Sequence, residues 1–232
     1  MKQPVYILCI AITFLSGCSI RCREEEIYKQ TVINKGNVAI SLNEDNSFID
    51  IGEFATIKIN GFANPREDRS GVVGLEVRVE DKHYFQFKSN QVSLLKGANN
   101  SLLLPMGKVK YQIFSNIKSD GSKMPDSSIN PPTNTEIEHN TYGSNGYAQT
   151  DYYSFDSSSK FQGSFSTFAP PFELSVSKNA RRRPYLISFN IPTDNGNTFT
   201  LIFPNVYVDE KEYQLPVIKF EYIKKSICND YH

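Results

Sequence analysis

The sequence predicts an all-β protein, an antiparallel β-sandwich of the Ig-like or jelly-roll-like kind with one long polar loop insertion. Three observations carry this reading. Apolar and polar residues alternate with a period of two in run after run, the mark of strands buried on one face. No long segment has a convincing 3.6-residue apolar period, so amphipathic helices are lacking to cover those faces and a second sheet is the economical cover. Phe and Tyr number 16 and 13, Trp is absent, and Gly, Pro, Asn and Ser are spread along the chain, a composition of short strands and many turns.

Taken in order, the first such run is Phe54 to Ile59. In the next, Val73, Leu75, Val77 and Val79 share one face while Glu76, Arg78 and Glu80 take the other. Asp81 and Lys82 then read as a tight connection to His83–Lys88, where Phe85 and Phe87 again lie on one face, so a hairpin is expected although the favoured Asn-Gly is missing. Lys108–Phe114, Phe172–Val176, Tyr185–Ile191, Thr198–Phe203 and Val217–Tyr222 continue the pattern. Asp194-Asn195-Gly196-Asn197 is a second hairpin signal, since Asn and Gly tolerate positive φ. Residues 119 to 160 break the rhythm, being rich in Ser, Asn, Asp, Thr and Pro, and read as the insertion. One sandwich over 31–228 is favoured over two, with 229–232 as a tail.

The N-terminus carries a separate message. Lys2 precedes an apolar run from Val5 to Leu15, which ends in Leu15-Ser16-Gly17-Cys18. The run is too short for a spanning helix, which needs about 20 residues, and fits an export signal. The segment resembles a bacterial lipoprotein signal peptide with its lipobox; an ordinary secretory signal is the rival. The resemblance implies cleavage after residue 17, a diacylglyceryl group and further acylation such as palmitate on Cys18, and a short tether over 18–30. In such lipoproteins an aspartate after the cysteine signals inner-membrane retention, so Ser19 points to the outer membrane. The match covers this segment alone, and the body resembles no family.

Basic and acidic residues balance at 25 each, so no global charge calls for nucleic acid. Of four cysteines, Cys9 leaves with the signal and Cys18 carries lipid. The remaining pair, Cys22 and Cys228, suggests a disulfide in an exported protein, with two unpaired thiols as the alternative.

Chemistry-bearing residues are sparse. His83 shares the face of Phe85 and Phe87 and reads as a packed or rim histidine, His139 lies in the insertion, and His232 is the last residue. Neither His-Glu-x-x-His nor Gly-x-Ser-x-Gly occurs. Ser-x-x-Lys recurs at Ser93/Lys96, Ser115/Lys118, Ser157/Lys160 and Ser175/Lys178, too often to be specific. Asn43-Glu44-Asp45-Asn46 lacks the spaced ligands and glycine of a calcium loop and reads as a turn. No catalytic residue, metal or cofactor is assigned. Arg181-Arg182-Arg183 could meet anionic headgroups, although a solvated turn is favoured. Tyr142, Tyr147, Tyr152, Tyr153 and Phe155 stand among small polar residues, a mixture suited to gripping a protein, peptide or glycan; the bland alternative has the rings tucked onto the sandwich.

The expected function is therefore a lipid-anchored, non-catalytic binding module at the cell envelope, using an insertion removable over 140 to 156 without loss of the fold. The alternatives are a structural component of an envelope or secretion-type assembly and, less favoured, a hydrolase acting on envelope polymers.

Overall fold

The fold is that of a computed structural model, which describes residues 21–42, 46–60, 70–80, 82–97, 100–116, 132–142, 148–163, 184–192 and 198–229. The described elements are all strands, and every residue-by-residue pairing among them is antiparallel. The largest sheet has eight. At its centre β5 (Ser70–Val79) lies between β4 (Ala55–Ile59) and β13 (Tyr185–Pro192). Beyond β4 come β3 (Ser47–Ile51) and β2 (Ala39–Leu42); beyond β13 come β9 (Val109–Asn116), β11 (Ala148–Phe155) and β10 (Glu136–Tyr142). A five-stranded sheet runs β1 (Arg21–Asn34), β17 (Val217–Asn229), β14 (Phe199–Ile202), β7 (Gln91–Lys96) and β8 (Asn100–Pro105). A four-stranded sheet runs β12 (Phe161–Gln162), β6 (Tyr84–Phe87), β15 (Val206–Val208) and β16 (Lys211–Tyr213).

The alternation sets the register. Ile49 pairs with Ile57, Ile57 with Val77 and Val77 with Tyr185, so one apolar row crosses four strands; Ile59, Leu75 and Ile187 make the next. A register slip of one residue would turn every one of these side chains to the wrong face. All lie in one core cluster with Phe85, Phe87, Phe199, Leu201 and Phe220, and each such side chain, fully buried, contributes about 1.5–3 kcal/mol. An aromatic chain joins the eight- and four-stranded sheets. Tyr111 and Phe155 meet Tyr185 at 5.3 and 6.3 Å, Tyr185 meets Phe161 at 4.5 Å, and Phe161 meets Phe85 at 5.3 Å. Burial pushes the Tyr185 phenol well above its ordinary pKa, and that hydroxyl donates to the Gln162 carbonyl at 2.6 Å. The five-stranded sheet is tied to the eight-stranded one by a buried polar pair, Gln30 with Ser47, and by Gln30 Nε2 donating to the Ile59 carbonyl at 3.4 Å.

The chain divides into two units, the body Ile27–Ile223 and a smaller one of the chain ends, in which the described residues are the start of β1 and the end of β17. Residues 21 to 30, expected as tether, belong to β1, and Tyr28 and Gln30 are buried.

Four expectations need correction. The strands around Asp81-Lys82 are not a hairpin: both edges of β5 are taken by β4 and β13, while β6 pairs with β12 and β15. Val79 and Phe85 are both buried, so the chain crosses between sheets at a corner where Lys82 has positive φ, 71°. Nor do β13 and β14, on either side of Asp194–Asn197, share a sheet; the turn itself lies outside the described residues. The polar stretch 119–160 is not all loop, since β10 and β11 continue the large sheet with Val109 opposite Phe155 and Tyr111 opposite Tyr153. Because β11 lies between β9 and β10, removal of 140 to 156 would not leave the fold intact. The expected strand at Phe172–Val176 lies outside the described residues.

Candidate functional site

The four-stranded sheet presents the candidate site. On β6 and β15 the alternation sends Phe85, Phe87, Val206 and Val208 inward, which leaves Tyr84, Gln86 and Tyr207 on the outer face. Strands β15 and β16 are joined by Asp209-Glu210, both with positive φ, 49° and 70°, as a two-residue type I′ connection requires. Asp209 fastens this turn to β6. Its Oδ1 accepts from the Tyr84 amide at 2.9 Å, its Oδ2 lies 2.5 Å from His83 Nδ1, and its own amide donates to the Tyr84 carbonyl at 3.0 Å. The His83 ring in turn meets Phe54 edge-on at 4.9 Å.

A second turn supplies the opposite wall. Asp156 accepts from the Ser158 amide at 2.8 Å and from Asn90 Nδ2 at 3.3 Å, and the Ser158 carbonyl accepts from Gln86 Nε2 at 2.6 Å. This anchoring carries Lys160 across the sheet, where its Nζ stands 4.7 Å above the Tyr84 ring and 3.8 Å from Glu210 Oε1. Tyr84, Phe85, Gln86, Lys160, Tyr207 and Glu210 line an open cleft of about 300 Å³. At its margin Glu212 accepts from Lys88 at 2.8 Å and from Asn205 at 2.7 Å.

The His83 hydrogen bond, then the Tyr84 amide, hold the Asp209 carboxyl below its usual pKa. A carboxyl depressed in the folded state stabilises above its unfolded pKa of about 3.9, and that contribution is lost as pH falls through the folded value. The Tyr84 amide is therefore expected to keep its protection from hydrogen exchange at pH 6 and to lose it only on acidification below the ordinary carboxylate range. Asp209→Ala should lack that protection under both conditions; equal protection in the variant would remove Asp209 as the anchor of the turn.

The residues expected from the sequence fall elsewhere. Phe155 is 1% exposed and belongs to the core, which removes it as a ligand contact. Tyr153 stacks on Tyr111 at 4.9 Å and is half-buried, as is Tyr152. The side chains of Tyr142 and His139 lie outside the described residues, as do Tyr147, Cys18, His232 and Arg181 to Arg183. Ser157 is buried while Lys160 is exposed, so this Ser-x-x-Lys does not converge. His83 touches a carboxylate and an aromatic ring, the surroundings of a rim histidine. Among the described residues, no group of three His, Cys, Asp or Glu is placed to hold a metal ion.

Sequence reasoning missed Tyr207, Glu210 and Lys160 as partners because Tyr207 lies on a strand of three residues and the other two lie in connections beside strands of two or three. One usable signal was Val206-Tyr207-Val208-Asp209-Glu210-Lys211, a short β-branched alternation interrupted by two polar residues. Comparison with protein-family models, curated proteins and solved structures returns no match.

Proposed function

We propose that this chain is a lipid-anchored protein of the bacterial cell envelope, at the outer rather than the inner membrane, whose sandwich acts as a non-catalytic binding module for a protein or glycan partner. The address rests on Leu15-Ser16-Gly17-Cys18 behind its short apolar run. The binding reading rests on the Tyr84–Lys160–Glu210 cleft, where a ring 41% exposed stands beside an amide and opposite charges. Tyr84, Gln86 and Tyr207 stand on strands, which hold them more firmly than a free loop would, and a concave surface with a few convergent polar groups is the usual form of a binding site.

Cys22 and Cys228 are proposed to pair. The sheet order supports this: Cys22 lies on β1, and β1 neighbours β17, which carries Cys228. Closing so long a loop contributes at most roughly 5 kcal/mol in the chain-entropy account. The gain of two hydrogen atoms in mass on reduction, mapped to peptides containing these cysteines, checks the pair.

The test is cross-linking in native membranes of the full chain beside Tyr84→Ala/Tyr207→Ala. A defined partner captured by the parent and lost from the variant is the expected result; equal capture would take the cleft out of the account. Cys18→Ala should move the protein from the membrane to the soluble fraction, and its retention there would end the lipid-anchor reading. A second reading, a structural component of an envelope assembly, is favoured by β8, an outer strand on which Leu102 and Leu103 are both exposed, since open strand edges invite pairing with another chain. It requires a partner in fixed stoichiometry that survives the cleft substitutions.

A further inference from the structure

We propose that the cleft of the four-stranded sheet is a docking site for a cationic side chain, a lysine ammonium or arginine guanidinium, on a partner protein, with Lys160 as the resident cation that the partner displaces. This rests on the binding-module reading above and names the chemistry of its ligand. The face of an aromatic ring attracts a cation through its quadrupole, and a carboxylate beside the ring adds charge and direction. Tyr84 and Glu210 supply that pair, and the cleft already holds a cation in the expected place, with Lys160 Nζ 4.7 Å over the ring and 3.8 Å from the carboxylate.

The other charges at the margin are more tightly engaged. Glu212 is shared by Lys88 and Asn205 at 2.8 and 2.7 Å, and Asp209 is held by His83 and the Tyr84 amide. Glu210 is different. Its side chain is 88% exposed and its ion-pair distance to Lys160 is long, so the resident contact is worth little and can be exchanged. A guanidinium would improve on it, because its planar fork can stack on the Tyr84 ring and reach the carboxylate at once.

The backbone adds an independent observation. Glu210 sits at φ 70° in the turn, a conformation that Asn or Gly adopts with less strain. A glutamate is a poor choice for that turn if only the fold matters. Strain retained at one position with an outward-facing charge points to use of the side chain. The prediction is a trade-off: Glu210→Gly should raise the thermal midpoint and weaken cation binding together.

The probe is the blocked tripeptide Gly-Arg-Gly beside its neutral citrulline counterpart, titrated into the ¹⁵N-labelled full chain in detergent micelles and read at the Gln86 side-chain amide and the Glu210 backbone amide. The arginine peptide is expected to shift both signals and the citrulline peptide neither. Lys160→Ala should tighten arginine binding about fivefold by removing the internal competitor, while Tyr84→Ala and Glu210→Gly should each weaken it by a similar factor. Equal shifts with both peptides, or no tightening in Lys160→Ala, would overturn the proposal. If the membrane partner is captured through Tyr84 and Tyr207 but the arginine peptide does not bind, the binding-module reading stands and the cationic ligand falls. If neither occurs, both fall.

Discussion

Phe155→Ala is expected to destabilise the protein by about 3–5 kcal/mol, the range for an aromatic side chain removed from a packed interior. Phe155 ends β11, and its ring meets Phe161 at 5.3 Å, Tyr111 at 5.9 Å and Tyr185 at 6.3 Å. It therefore touches side chains from both the eight-stranded and four-stranded sheets, and the cavity left by alanine would lie at their junction. For a domain of this size each kcal/mol moves the thermal midpoint by about 2–4 °C, so a fall of about 6–20 °C is expected in a melting experiment. Leu186→Ala, on the exposed face of β13, should change stability by no more than about 0.5 kcal/mol. A Phe155 variant that melts with the Leu186 variant would contradict the placement of β11 in the large sheet. By the same logic, deletion of 140 to 156 should abolish cooperative melting, because it removes a strand paired on both sides.

Gly163→Ala is the second large effect. A β-carbon there would stand 1.8 Å from the Glu80 carbonyl oxygen and 2.8 Å from that of Val79, and neither backbone group can rotate away as a side-chain tip can. Relief requires β12 to lift from the corner between β5 and β6, which breaks the hydrogen bond from the Gly163 amide to the His83 carbonyl, 2.7 Å. The cost is expected at the upper end of the range of about 1–3 kcal/mol for overpacking, or beyond it. Lys160 lies three residues upstream, so the cleft should be disturbed as well, and a thermal melt together with the Gln86 amide signal reads both consequences. Gly74→Ala is the control: its nearest neighbour would be Asn60 Nδ2 at 3.4 Å, ordinary contact with a side chain that can move. Similar melting of the two variants would mean that β12 does not pass over this corner.

The legible part of the fold was its strands. Val73, Leu75, Val77 and Val79 are buried as their alternation demanded, as are Phe85, Phe87 and the odd-numbered residues of Tyr185–Ile191. That signal is local, because period two fixes which side chains share a face whatever lies opposite. Pairing is different, since a strand edge offers the same backbone groups to any partner. The two connections read as hairpins instead join strands of different sheets. The β10–β11 pair was hidden by polarity: at the end of a sheet one face can stay wet, and Ser, Thr, Asn and Tyr then read as loop.

The candidate site was largely illegible for the same reason. Tyr84, Lys160 and Tyr207 meet only because β12, β6 and β15 are neighbours, and the link from His83 to Asp209 spans 126 residues. The tyrosines expected in a binding loop are in part structural, with Tyr153 stacked on Tyr111. By itself the sequence determined the all-β class and the inward faces of the long strands. The tertiary structure alone decided which strands pair, that Phe155 is core, and that an aromatic ring, an ammonium and a carboxylate share one cleft. The physical reason is range: burial patterns are written in neighbouring residues, whereas sheet order and side-chain convergence arise from contacts between segments far apart in the chain.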